Sequence, residues 1–267
     1  MERSPLRASA SWSLCLAVAL AIQLGFPSEG RAIIIEITSF EVGEVIPGLA
    51  TSGHAGRVTD LDGVTPTEGA DMARISNQEA NGAVATATIE SDLGIGSGTI
   101  NSIFVSSVLS TGSIPTSGSA LQITFAAEAG DELLFDFDFI TSESTPEGTW
   151  TDFAWANIVD TDSSTAVFQD DLANANESLF TLTPNGNFDE TDWQTFSMLL
   201  PSTATYEVTL GVMDVQDAAF DSFLVADYFR LSRTPEPGTA SLLGIGLLGL
   251  AWQGRRRPGP RPARRPL

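Results

Sequence analysis

Lysine is absent from this chain, and histidine and cysteine occur once each. Its 13 basic residues are therefore all arginine, set against 34 acids, for a formal net charge of −21. Their placement divides the chain into three. Residues 1–32 hold three Arg and two Glu, residues 33–234 hold four Arg and 31 acids, and the remainder holds six Arg and one Glu. A middle region this acidic repels phosphate backbones and anionic lipid, which argues against nucleic acid as a partner and favours solubility outside the cell, or cation binding. The one cysteine, Cys15, lies in an N-terminal apolar run and follows Ser13 and Leu14, not the small-residue pair of a lipidation site. A chain that loses this run on export has no disulfide, thiolate nucleophile or cysteine metal site. The one histidine, His54, is expected in a Gly-flanked loop, Ser52 to Gly56. It leaves any zinc site dependent on carboxylates for its other protein ligands, and no nucleophile-elbow pattern accompanies it.

A sustained helical period is also lacking in the middle region, whose length of about 200 residues suits one domain. Short apolar runs separated by Gly, Pro, Ser, Asp and Asn predict an all-β protein. The strand candidates are Ile33 to Ile37, Ala83 to Ile89, Ala120 to Ala126, Leu133 to Ile140, Phe153 to Val159, Gln194 to Leu200, Tyr206 to Met213 and Phe223 to Leu231. Asn101 to Leu109 reads equally as a strand or a short helix. Two segments alternate with the period of a half-buried strand. Leu133, Phe135, Phe137 and Phe139 share one face with Asp136 and Asp138 on the other, and Tyr206, Val208, Leu210 and Val212 share a face. One dry and one wet face is the behaviour of antiparallel sheets, so the expected fold is an antiparallel β-sandwich.

Both ends carry targeting patterns. Arg3 and Arg7 precede the apolar stretch Leu14 to Leu24, and Gly30-Arg31-Ala32 offers the small residues that a signal peptidase reads. This predicts a secretory signal over 1–32, with a signal-anchor helix as the alternative. At the other end Pro235-Glu236-Pro237 is followed by the apolar run Ala240 to Trp252 and then by Arg255-Arg256-Arg257. As a helix the run covers about 20 Å, against a bilayer core of roughly 30 Å, so it holds a membrane only transiently. The arginines beyond it stay cytoplasmic, which leaves everything before Pro235 outside. These three parts, in this order, resemble the PEP-CTERM sorting signal of Gram-negative bacteria. The resemblance implies cleavage near Pro235-Glu236-Pro237 by an exosortase, with passage from the inner membrane to the cell surface or extracellular matrix. The chain departs from that pattern in its basic, Pro-rich end, 258–267, which is expected to be disordered.

A second resemblance covers most of the middle region. Phe40-Glu41-Val42-Gly43, Pro66-Thr67-Glu68-Gly69, Asp92-Leu93-Gly94, Ala129-Gly130-Asp131, Trp193-Gln194-Thr195-Phe196 and Val225-Ala226-Asp227 follow one another as in the choice-of-anchor surface proteins. That family is similar to jelly-roll, galactose-binding-like modules, in which the opening Phe-Glu and an Asp near the last strand can hold a structural calcium ion. The resemblance thus implies calcium at Glu41 and Asp227, with solvent exposure or pairing with Arg230 or Arg57 as the alternative. A Trp usual soon after Phe-Glu is missing, and Pro47-Gly48-Leu49 stands in its place.

The remaining motifs have structural readings. Gly244-Ile-Gly246-Leu-Leu-Gly249 matches the dinucleotide fingerprint, but it lies within the apolar tail and no βαβ unit surrounds it. Asp60-Leu61-Asp62-Gly63 and Asp160-Thr161-Asp162 contain fragments of calcium loops without the twelve-residue pattern, and read as turns. With 31 acids in the middle region, a carboxylate pair at glycosidase spacing carries no signal. Trp150, Trp155 and Trp193 are the candidates for sugar stacking. Alternation with Phe153 places Trp155 in the core, whereas Trp150 follows Pro146-Glu147-Gly148 in a loop and is free to bind glycan. The expected function is a structural or adhesive surface protein without catalytic activity, in contact with exopolysaccharide. A lectin-like glycan-binding module is the alternative.

Overall fold

The computed structural model describes residues 33–46, 48–107, 113–143, 151–176, 179–216 and 220–233. Along them run β1 (Ile33–Thr38), β2 (Ala50–Ser52), β3 (His54–Val58), β4 (Met72–Ser76), β5 (Val84–Ala85), helices α1 (Thr86–Asp92) and α2 (Thr99–Ser107), β6 (Pro115–Ala127), β7 (Glu132–Thr141), β8 (Phe153–Asp160), β9 (Thr165–Asn174), β10 (Thr181–Leu182), β11 (Asp189–Glu190), β12 (Gln194–Leu199), β13 (Ala204–Val215) and β14 (Ser222–Arg233). They form two sheets. The first has the order β10-β11-β7-β14-β4-β3, with β1 also on β14 and β12 also on β7; the second has the order β2-β6-β13-β8-β9, with β5 also on β6. The long ladders are antiparallel, and the fold is the expected β-sandwich.

The period-two segments supply the interior. Leu133, Phe135, Phe137 and Phe139 of β7 meet Tyr206, Val208, Leu210 and Val212 of β13 in one buried cluster. A column of rings crosses it. Phe135 stacks on Phe229 at 4.7 Å and on Phe196 at 4.6 Å, while Phe40 and Phe168 meet the two ends edge-on at 5.8 and 4.9 Å. Each such pair adds about 0.5–1.5 kcal/mol beyond area burial. Phe40 enters the column at a left-handed φ of 62°, a backbone cost of order 1–3 kcal/mol that its near-complete burial offsets.

Two expectations are corrected here. Ala83 to Ile89 is a strand only at Val84–Ala85, and α1 begins at Thr86. Ile89 and Leu93, four residues apart, lie on one face of that turn and pack with Ile100, Ile103 and Phe104 of α2 over Phe153, Trp155 and Met213. Helical spacing prevails because the outer face of the second sheet presents an apolar patch to cover. His54 is not in a loop. It opens β3, separated from β2 by Gly53 at φ 76°. The segment read as strand or helix, Asn101 to Leu109, is helical through Ser107.

β9 escaped sequence reading because acids at Asp170 and Asp171 interrupt its apolar pattern. The last strand ends in a fixed charge pair, in which Arg233 Nε and Nη2 donate to the two Asp131 oxygens at 2.8 and 2.7 Å.

Gly211 on β13 faces the Trp155 indole, and a Cβ built there would lie 2.5 Å from the ring. Gly211→Ala is expected to lower unfolding free energy by about 1–3 kcal/mol, the usual range for overpacking, as read by urea denaturation. An unchanged midpoint would show that Trp155 is free to move.

Candidate functional site

The side of the second sheet that carries Trp155 continues, two residues on, with Asn157. Register places Asn157 opposite Thr209 of β13 on one side and Gln169 of β9 on the other, and Thr209 in turn opposite Gln122 of β6. Gln122, Thr209, Asn157 and Gln169 therefore form a polar row across four strands, buried at its first three members and exposed at Gln169. Gln122, Asn157 and Gln169 line a groove of about 380 Å³, and Thr209 lies buried between them. One wall is the Leu93–Thr99 connection between the helices; the other is formed by Glu207, Val159 and the β8–β9 turn.

The helix side of the groove is held in place. Glu90 of α1, buried, accepts Gly98 N–H at 2.8 Å and Ile100 N–H at 3.0 Å, which fixes the entry to α2. Gln122 Nε2 donates to the Leu93 carbonyl at 3.2 Å and to Thr209 Oγ1 at 3.1 Å. Asn157 is different. It is 3 % exposed, yet its buried Oδ1 has no hydrogen-bond partner. An acceptor left so costs about 1–3 kcal/mol unless water or a ligand supplies a donor. The groove's lining contains no aromatic ring and no basic side chain. Sequence reasoning missed it, although alternation through Phe153 and Trp155 already set Asn157 on their face.

Glu41 and Asp227 are brought to a single loop, 67–71. Glu41 Oε1 accepts Ala70 N–H at 2.7 Å and Asp71 N–H at 3.3 Å. Asp227 Oδ2 accepts Glu68 N–H at 2.8 Å and Thr67 Oγ1–H at 3.0 Å, and its Oδ1 accepts Tyr228 N–H at 2.7 Å. Burial still pushes the Asp227 carboxyl above its ordinary range, against these hydrogen bonds. Calcium takes six to eight oxygen ligands. At this loop Glu41 Oε1 and both Asp227 oxygens already face N–H and O–H donors, and among the described residues no group of three acids or histidines could hold a metal ion. These residues fit a hydrogen-bonded clamp, and do not fit a calcium cage. The two arginines named as alternatives are engaged elsewhere: Arg230 lies 3.7 Å from Asp136, and Arg57 donates to the Glu44 carbonyl.

The other sequence candidates have structural roles where they are described. Trp155 is fully buried, as alternation implies. Trp193 packs on a small apolar cluster outside the first sheet and donates its Nε1–H to the Thr65 carbonyl. The His54 ring accepts from Arg74 at 2.9 Å, and burial and that guanidinium lower its pKa. Asp160 caps its turn by accepting Asp162 and Ser163 N–H. Asp62, at φ 52°, binds Thr183 and Asn187 and ties its turn to the loop before β11. Trp150, Pro235, Glu236, Pro237, Arg255, Arg256 and Arg257 lie outside the described residues, as do the expected signal peptide and apolar tail helix. Among the described residues no helix is long and apolar enough to cross a membrane.

Under that outer cluster sits Asp138, expected on the wet face of its strand, beside Glu190. Asp138 is fully buried, because Leu61, Val64, Phe188 and Trp193 close over its side of β7. Its Oδ1 accepts Thr191 N–H and Oγ1–H at 3.1 and 3.0 Å, and its Oδ2 has no donor. Burial and the neighbouring Glu190 raise Asp138 to about 8, and burial raises Glu190 as well. Both carboxyls therefore hold their protons to higher pH than exposed ones.

A comparison with family models settles the tail. Residues 233–257 match the PEP-CTERM protein-sorting motif. Such a motif marks an exported, cell-surface protein. No curated protein matches the chain. Among solved structures it is similar to carbohydrate-binding module CBM27-1 of Caldicellulosiruptor saccharolyticus in complex with mannohexaose, at 11 % identity and a TM-score of 0.43, covering 76 % of this chain and 98 % of that one. It is also similar to the K1 cleaved adhesin domain of Lys-gingipain from Porphyromonas gingivalis W83, at 11 % identity and 0.40, covering 76 % and 99 %. A third is the C-terminal family 22 carbohydrate-binding module of Clostridium thermocellum Xyn10B, at 15 % and 0.32, covering 78 % and 98 %.

Two outcomes are expected. Between the ordinary aspartate pKa of 3.8 and about 8, folded Asp138 keeps a proton that the unfolded chain has lost, so stability falls as pH rises through this window and levels above it. Asp138→Asn should make the melting temperature less steeply dependent on pH from 5 to 8.5; an unaltered slope would show that another group titrates in this window. Glu41→Ala should lower the melting temperature by removing the clamp on 67–71, while calcium and chelator should give the wild-type protein the same midpoint. A rise of several degrees with calcium would restore the metal reading.

Proposed function

We propose that this chain is a non-catalytic structural or adhesive component of the cell surface or extracellular matrix. In this reading signal peptidase removes residues 1–32, the β-sandwich of 33–234 is exported, and 235–257 hold it transiently in the inner membrane through the apolar run. An exosortase then cuts near Pro235-Glu236-Pro237 and the basic end, 258–267, is lost with the tail. The observation that carries the reading is the sorting-motif match over 233–257. The acidic, lysine-free domain supports it, since such a surface stays soluble outside the cell and avoids anionic polymers. A non-catalytic role agrees with the one histidine being engaged by Arg74. Matrix exopolysaccharide is the partner. Lectin-like binding is the second reading, favoured by the polar groove. Calcium at Glu41 and Asp227 forms no part of the proposal.

Protein recovered from the cell surface should lack Ala240 to Leu267 by intact mass. Replacing Pro235, Glu236 and Pro237 with alanine should leave the full chain in the inner membrane. Recovery of uncut chain at the surface would overturn the sorting reading.

A further inference from the structure

We infer that the groove lined by Gln122, Asn157 and Gln169 binds a stretch of neutral polysaccharide, read by hydrogen bonds from amides and without aromatic stacking. The inference rests on the adhesive reading above, and gives it a site and a ligand class.

Four features point to this ligand. The row spans four neighbouring strands, a reach of roughly 14 Å at ordinary strand spacing, which suits several linked sugars better than one small molecule. The Asn157 and Gln169 amides carry both donor and acceptor groups, which match the hydroxyls of a sugar ring, while Gln122 Nε2 is already engaged by Leu93 and Thr209. Asn157 Oδ1 is a buried acceptor without a donor at the floor, and a ligand hydroxyl is the donor it lacks. The lining offers Glu207 and no arginine, so uronic acids and sulfated sugars meet repulsion with nothing to neutralise them.

The site is also built before a ligand arrives. Gln122 is held by Leu93 and Thr209, and the helix-side wall beside it is set by Glu90 at the start of α2. Preorganised donors and acceptors lose little entropy on binding. Without a stacking ring, affinity depends on the number of hydroxyls engaged, and it should be insensitive to salt.

The test is affinity electrophoresis of the secreted protein through gels containing galactomannan, xylan or laminarin as neutral probes and alginate as the anionic one. Retardation by at least one neutral probe, and none by alginate, is expected. Asn157→Ala and Gln169→Ala should each weaken retention about three- to tenfold, the effect of one lost hydrogen bond. Gln169 is exposed on the edge strand, so its variant remains informative should the buried Asn157 change disturb folding. Retention that both variants keep would overturn the groove while leaving the adhesive reading intact. Retardation by alginate alone would overturn the ligand class. No retardation by any neutral probe would overturn both the groove and polysaccharide adhesion, leaving surface sorting to be judged by the mass of the mature chain.

Discussion

Phe135 sits between Phe196 and Phe229, stacked on both at under 5 Å, and the rest of the sandwich is arranged to keep it there. Its neighbours come from strands on either side of β7, so the stack fixes the lateral packing of the first sheet. Phe168 on β9 then meets Phe196 from the second sheet. Slipping β7 by one residue would exchange this ring for Leu134 or Asp136 and put a carboxylate in the core, which is why the register is so firmly specified. The inner faces of β13 and β6 have only to be apolar and of the right volume. The outer faces are then released for other uses: one carries helices and a polar groove, the other a loop cover.

A second constraint is charge. The middle region has four arginines for 31 acids, so most carboxylates cannot find a cation. The fold gives several of them backbone N–H groups instead. Glu41, Asp227, Glu90 and Asp160 each accept from two or more main-chain donors or from one donor and a hydroxyl. Each of these bonds also pins a loop or a helix start. Anion solvation and loop ordering are thus the same interaction, and a charge-assisted bond to N–H is stronger than a neutral one. Asp138 has such donors on Oδ1 alone, and burial raises its pKa and that of Glu190.

The inner faces were legible because two-residue alternation is written locally in β7 and β13. The covers were not. Thr86 to Asp92 has a strand-like composition, and only the apolar patch of Phe153, Trp155 and Met213 on distant strands explains why it coils into a helix. Asp138 alternates correctly onto the outer face, but its burial depends on a turn near residue 62 and a loop near 187, each remote in sequence. The groove shows both halves of the problem. The parity of Asn157 could be read from Trp155, whereas its neighbours Gln122 and Gln169 come from segments 35 residues before and 12 after it, joined only by register. A family resemblance set Glu41 and Asp227 at one place, and both bond to loop 67–71, whose N–H groups left no sign in the sequence.

Arg233 is the last residue described before the sorted tail, and both Asp131 oxygens hold its guanidinium. Where the protein is tethered through residues beyond it, mechanical load enters the sandwich at this fork. From there it passes into β14, a strand with ladders to β7 on one side and to β4 on the other. A pull along β14 loads those backbone hydrogen bonds together, in shear, instead of peeling an edge strand one bond at a time. The position that connects the domain to its address is thus one where load meets two ladders and not a free edge.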